Sequence, residues 1–169
     1  MLGKMKQSPT DPIFTMDEVI AQEEELVLDS FTRKDVKLLA DIMHGINEDY
    51  QMSFAFEIYV NELVVYKYLP EGTGKINDLW MEKKINTVMT MNYSTMHYWL
   101  FIEAIGGKRK PEFYPVDPVV TCGGGFPINV KGFGVIGAIA CSGPGDQNDH
   151  LFCLEALRRF KKLKAAENS

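Results

Sequence analysis

Cysteine is scarce in this chain of 169 residues, which contains only Cys122, Cys141 and Cys153. An odd number without a C-x-x-C pair supports neither a disulfide framework nor a structural zinc site, and it favours free thiols in a reducing compartment. Basic residues are also few, because 18 Lys and Arg stand against 23 Asp and Glu and give a net charge of -5. We therefore expect neither nucleic acid nor an anionic membrane as a partner.

Long hydrophobic runs are missing as well. No stretch approaches the roughly eighteen apolar residues of a transmembrane helix, and the polar N-terminus has no apolar signal core. The sequence therefore predicts a cytoplasmic protein. Neither an H-E-x-x-H motif nor a Ser-His-Asp order with supporting context occurs. Hydrolase and metalloprotease activities lack support, no catalytic residue or metal-ion site is predicted, and the sequence leaves open whether the protein is an enzyme.

What the chain does contain is enough for one globular domain. Hydrophobic residues make up 46% of the sequence and charged residues 24%, which is ordinary for a protein with a single core. Residues 1–14 include Pro9 and Pro12 and show no periodicity, so we predict a flexible N-terminal segment. Residues 15–165 are predicted to form the single domain.

The most constrained stretch is rich in glycine and spans residues 122–150. Alternating apolar residues over 126–131 and a nearly continuous apolar run over 135–141 predict two strands, joined by a glycine turn at 132–134 as an antiparallel hairpin. The second run has the composition of a central strand, and its small side chains would let a helix or a neighbouring subunit approach closely. A dinucleotide fingerprint, formally matched by residues 132–137, is rejected because no helix starts within these glycines.

Hydrophobic periodicity supplies the remaining elements. A second hairpin is expected around Asn61-Glu62, and residues 94–104 fit both a helix and a strand, of which we favour the helix. A short fifth strand is predicted at 119–121. The order predicts an α+β fold, in which an antiparallel sheet of about five strands carries helices on its faces. Helices are expected over 15–29, from 32 to about 46, from 77 to about 92, and over 149–164.

Short motifs follow one another along the chain: Asn77-Asp78-Leu79-Trp80, Lys83-Lys84, Ser94-Thr95, Gly123-Gly124-Gly125-Phe126-Pro127-Ile128, Gly134-Val135-Ile136-Gly137, Ser142-Gly143, Asp149-His150 and Glu155-Ala156-Leu157-Arg158-Arg159-Phe160. In this order they resemble the haem-degrading domain superfamily, which includes GlcG, the HbpS proteins and the C-terminal domain of PduO adenosyltransferases. The likeness covers most of residues 17–160. It implies a profilin-like three-layer fold, homo-oligomers and, in some branches, binding of haem or another tetrapyrrole. One departure is Cys122, which stands where relatives usually have a histidine.

Candidate ligand-binding residues follow from these motifs: Asn77, Trp80, Lys83, Lys84, Cys122, Gly123, Gly124, Phe126 and His150. Iron in a bound haem would need an axial ligand, for which His44, His97, His150 and the three cysteines are available. The residues around Trp80 would equally suit a subunit interface, where aromatic anchors are enriched.

Two functions are therefore predicted. The first, implied by the resemblance, is a small oligomeric protein that binds haem or a related small ligand in a cleft near the glycine-rich segment. The alternative is a non-catalytic oligomeric interaction or adaptor protein. Its contact surfaces would be the acidic run Glu23–Glu25 and the basic run Lys108–Lys110, which lies in a long loop over 106–118.

Overall fold

The computed structural model describes residues 12–107 and 117–167, which contain five helices and four strands. Most of the predicted flexible segment and the basic run Lys108–Lys110 lie outside these residues. No helix among the described residues is both long enough and apolar enough to cross a membrane. In chain order the elements are α1 (Met16–Glu25), α2 (Asp35–Tyr50), β1 (Ala55–Val60), β2 (Leu63–Tyr68), α3 (Lys75–Met91), α4 (Thr95–Ala104), β3 (Gly125–Val130), β4 (Gly134–Ser142) and α5 (Asp146–Glu167).

The strands form one antiparallel sheet in the order β2-β1-β4-β3. The glycine-rich hairpin, β3 and β4, is therefore confirmed, and so is the central position of β4. The expectation of about five strands is wrong, because the sheet has four and residues 119–121 form no strand. The Val120 amide donates to Thr87 Oγ1 on α3 at 2.9 Å, so this segment bonds to a helix side chain instead of joining a strand.

Helices cover both faces of the sheet, so the fold has three layers. α2 and α5 pack on one face, over a core that includes Phe56, Ile128 and Ile139. α3 packs on the other face, over Ala138 and Ala140. The small side chains predicted on β4 therefore make room for a helix, as expected.

α1 and α4 pack against each other beside the sheet, through Val19, Met96 and Trp99. The helix at α4 confirms the assignment favoured for residues 94–104. α1 is shorter than predicted, because the chain leaves the helix after Glu25 to extend the sheet edge. Leu28 forms a parallel bridge with Val130 on β3.

Candidate functional site

The predicted site residues near the glycines meet at a buried junction of α3, β4 and α5, with Lys84 at its centre. The Lys84 ammonium donates to the Cys141 carbonyl oxygen and to Asp149 Oδ2, both at 2.7 Å. The side chains of Lys84 and Asp149 are 2% and 4% exposed. Burial by itself would lower the pKa of Lys84, but the negative charge of Asp149 has the larger effect, so the pKa of Lys84 is raised. Burial raises the pKa of Asp149, while Lys84 opposes that shift. Short bonds to two oxygen acceptors fit a charged ammonium, so Lys84 and Asp149 form an internal ion pair.

Gly123 and Gly124 leave room for this ion pair and for the start of α5. Gly124 has a φ of +99°, and a Cβ there would lie 2.5 Å from Asp149 Cβ. A Cβ on Gly123 would lie 1.9 Å from the carbonyl oxygen of Asp146. Close packing of the loop therefore explains why both positions are glycine, and no bound ligand is needed to explain them.

Gly123→Ala is expected to destabilise the protein by about 1–3 kcal/mol, as overpacking does, because the added methyl group meets backbone that cannot easily move. Gly45→Ala in α2 is the matched control, since no atom lies within 4 Å of a Cβ built there. That change should stabilise the protein by about 0.5–1 kcal/mol, because alanine loses less entropy than glycine in a helix. Urea unfolding of both variants measures the difference. Equal stability of Gly123→Ala and wild type would contradict the close packing.

His150, another predicted ligand, is fully buried near the start of α5. Its ring lies between Phe14 and Phe126, with centroid distances of 5.0 and 5.9 Å. Nε2 is 2.8 Å from Gln22 Oε1, and Nδ1 has no hydrogen-bond partner among the described residues. Burial, assisted by the positive charge of Arg158, lowers the pKa of His150 to about 3. The imidazole is therefore neutral at neutral pH and closed off from an outside ligand.

The three cysteines are free thiols and are likewise buried. Cys122 is 2% exposed. Burial raises the pKa of Cys141 well above its ordinary value, and its Sγ donates to the Asp149 carbonyl oxygen at 3.1 Å. Because ligation requires a thiolate that the ligand can reach, none of the three is placed to hold haem iron.

Asn77 lies apart from the buried junction, at an open cleft of about 470 Å³ beside the N-terminal end of α3. Its Oδ1 accepts from the Gly74 amide at 2.9 Å, and its Nδ2 donates to Ser142 Oγ at 3.0 Å. The lining combines the neutral polar residues Gln51, Ser53, Thr73 and Asn77 with the apolar residues Met52 and Pro144. A cleft of this size suits a small molecule.

The other predicted residues on α3 do not join Asn77 in one pocket. Trp80 is half-buried, and Lys83 is a surface residue whose Nζ lies 3.4 Å from Glu82 Oε1. Lys84, the next residue, points inward to the ion pair. The motif residues of α3 therefore lie in different places: Asn77 at the cleft, Lys83 at the surface and Lys84 in the core.

His44 is partly buried in an aromatic cluster on the opposite face of the sheet from α3. Its Nε2 lies 2.6 Å from the Tyr66 hydroxyl, and its ring packs edge-on against Phe56 and Tyr68 at 4.9 and 4.4 Å. Its position is therefore explained by packing and by the bond to Tyr66.

His97, on α4, differs from the other two histidines because a carboxylate contacts one of its ring nitrogens. Its Nδ1 lies 2.9 Å from Glu23 Oε2 on α1, and the Tyr93 ring stacks on it at a centroid distance of 4.0 Å. The side chain is 20% exposed. Nε2 makes no hydrogen bond among the described residues. A histidine held this way through one nitrogen is typical of those that bind metal through the other.

Apolar side chains continue along α4 from His97. Phe101 follows it by four residues and Ile105 by eight, which places them on the same side of the helix. Phe101 is 42% exposed, Ile105 is 64% exposed, and Ile20 on the neighbouring α1 is 37% exposed. No group of three or more His, Cys, Asp or Glu side chains among the described residues could hold a bare metal ion. Among the described residues, this surface combines one carboxylate-held imidazole with exposed apolar side chains on α1 and α4. Histidine is one of the axial ligands by which proteins hold haem iron.

Residue type marks His97 as an available ligand, but the sequence motifs do not single it out. Its partner Glu23 is 74 residues away and was assigned to a run of surface carboxylates. The signal within the sequence is the spacing of Tyr93, His97, Phe101 and Ile105 at intervals of four. Glu23 is not free for a basic partner, and Glu25 is also engaged, because its carboxylate accepts two bonds from Arg158.

The chain is similar to known proteins over most of its length. A UPF0303 protein of Streptomyces coelicolor is 31% identical over 160 residues, which is 92% of this chain and 98% of that protein. A UPF0303 protein of Psychromonas ingrahamii is 26% identical over 145 residues, covering 85% and 91% of the two chains.

Two solved structures share the fold. The crystal structure of the Ybr137w protein has a TM-score of 0.76 at 20% identity, covering 88% of this chain and 90% of that one. A crystal structure of PduOC in complex with haem has a TM-score of 0.62 at 18% identity, covering 76% and 94%. The model of one family, described as haem degrading protein HbpS-like, matches residues 31–158. Because the match spans well over half of its length, the chain belongs to this HbpS-like family.

Proposed function

We propose that the protein binds haem or a closely related tetrapyrrole, with His97 Nε2 as an axial ligand of the iron. The observation that supports this most strongly is the Glu23-held imidazole, whose Nε2 has no hydrogen-bond partner among the described residues and whose helix exposes apolar side chains. Membership of the HbpS-like family and the likeness to a PduOC haem complex support the same ligand class. A bound haem supplies the iron and its four equatorial nitrogens, so the chain need contribute only an axial ligand and apolar contact.

Each residue of this surface has a distinct task in binding. Glu23 accepts a hydrogen bond from Nδ1 of His97, which leaves the lone pair of the neutral ring on Nε2. Tyr93 stacks on the imidazole at an interplanar angle of 19° and so limits rotation of the ring. Phe101 and Ile105 expose apolar area that a macrocycle would remove from water, which contributes about 25 cal/mol per Å² buried.

Titration with haemin tests the proposal. The wild-type protein is expected to give a shifted Soret band that saturates, and His97→Ala should weaken binding by more than the ~10–100-fold that loss of an outer-shell partner costs. His44→Gln is the matched control and should bind haemin like the wild type, because His44 already bonds Tyr66. An unshifted, non-saturating band for the wild type, or unchanged binding by His97→Ala, would refute the proposal.

We further propose that the protein is a cytoplasmic homo-oligomer, because the family resemblance implies oligomers and free thiols suit a reducing compartment. Native mass spectrometry of the purified protein measures the subunit number together with any retained tetrapyrrole. A monomer at every concentration would contradict the oligomer. The adaptor alternative receives no support from the acidic run, since Glu23 and Glu25 make intramolecular bonds.

A further inference from the structure

We infer that Glu23 is a positioning residue, which fixes the nitrogen that His97 presents and makes that nitrogen a stronger iron ligand. The inference rests on the haem binding proposed above. The hydrogen bond between Glu23 on α1 and His97 on α4 is present without any ligand.

Both oxygens of the Glu23 carboxylate are in use. Oε2 lies 2.9 Å from His97 Nδ1, and Oε1 accepts from the Ser94 amide at 2.8 Å. Ser94 is the N-cap of α4, and its hydroxyl accepts from the His97 amide at 3.2 Å. Glu23 therefore holds the first turn of α4 and the imidazole in the same arrangement.

This geometry selects one tautomer of the neutral ring. A carboxylate can only accept hydrogen bonds, so the Nδ1 of His97 must carry the proton and Nε2 must carry the lone pair. The side chain of Glu23 is 15% exposed and that of His97 is 20% exposed, so water competes only weakly for the bond. Tyr93, stacked on the ring, restricts the flip that would exchange the two nitrogens.

A hydrogen bond from Nδ1 to a carboxylate also changes the electronic character of the ring. Partial withdrawal of the Nδ1 proton raises the basicity of Nε2, which is the effect of carboxylate partners on metal-binding histidines. A more basic axial nitrogen stabilises the ferric state relative to the ferrous state, because ferric iron carries the higher charge. Glu23 is therefore expected to favour ferric haem, whereas a neutral partner at this position would favour it less.

The apo protein provides the first test, which needs no haem. Long-range ¹H–¹⁵N spectra of histidine-labelled protein should show His97 as the Nδ1-protonated tautomer, and Glu23→Leu should convert much of it to the Nε2-protonated form. Glu24→Gln is the matched control, because Glu24 is the adjacent exposed carboxylate, and it should leave the tautomer unchanged. Retention of the wild-type tautomer in Glu23→Leu would overturn the inference.

The haem complex provides the second test. Glu23→Gln keeps a side chain of the same size without the charge. It should lower the ratio of the affinity for ferric haem to that for ferrous haem by about tenfold. For a one-electron couple this corresponds to a shift of about 59 mV in the midpoint potential. Glu24→Gln should leave the midpoint potential unchanged. If haemin binds through His97 and Glu23→Gln does not move the potential, the inference fails while the proposed function stands. If the wild type does not bind haemin, the proposed function fails, and the inference about iron fails with it.

Discussion

Lys84→Met is expected to destabilise the protein by about 3–5 kcal/mol, the cost of removing one partner from a buried ion pair. The substitution leaves the Asp149 carboxylate without its ammonium at a position that is 4% exposed. It also leaves the Cys141 carbonyl oxygen without the bond from Lys84. Unfolding in guanidinium chloride, followed by circular dichroism, measures the loss.

The adjacent lysine provides the control for this prediction. Lys83→Met changes the same residue type on the same helix, but its side chain is 24% exposed and its ammonium pairs with the exposed Glu82, so the effect should stay within about 0.5 kcal/mol. Combining Lys84→Met with Asp149→Leu removes both charges and should recover much of the loss, because hydrophobic replacement of a whole buried pair is often neutral. A Lys84→Met variant as stable as Lys83→Met would show that the pair does not hold the junction together.

Acid is expected to destabilise the wild type through His150 by about 1.4 kcal/mol for each pH unit below its unfolded pKa. Burial, together with the charge of Arg158, lowers the folded pKa of His150 from 6.5 to about 3. Between these two values the unfolded chain binds a proton that the folded protein excludes, so this contribution to stability is lost as the pH falls. The loss starts near pH 6.5 and is complete near pH 3.

Comparing the pH dependence of stability between variants separates the contribution of His150 from those of other titrating groups. Asp149 is one of them, and its raised pKa changes stability with pH in the opposite direction. His150→Gln can still donate to Gln22, and its stability should depend less steeply on pH than that of the wild type between pH 7 and 4. Urea unfolding at intervals of half a pH unit supplies the curves. Parallel curves for the wild type and His150→Gln would mean that His150 titrates freely in the folded protein.

Local sequence signals identified most of the fold. Both hairpins were predicted because alternation and turn residues are contiguous in the chain, and Asn61 and Glu62 do adopt the positive φ values of a tight turn, 49° and 63°. Residues 119–121 were assigned wrongly because three apolar or β-branched residues resemble a strand locally. Their actual bond to Thr87 joins segments 33 residues apart, which no local pattern reports.

The candidate site was harder to predict for the same reason. The family motifs drew attention to Lys84, and only the fold shows that Asp149, 65 residues later, neutralises it inside the protein. His97 depends on Glu23 in α1, and nothing near His97 in the sequence indicates that contact. Residue type identified the possible ligands, whereas burial and long-range partners decided which of them a haem could reach.

Pulsed electron paramagnetic resonance of the ferric haem complex, prepared with ¹⁵N-labelled histidine, tests the central claim most directly. His97 as the axial ligand predicts a ¹⁵N hyperfine coupling that is present in the wild type and in His44→Gln but absent from His97→Ala. The same coupling in His97→Ala, or none in the wild type, would contradict it.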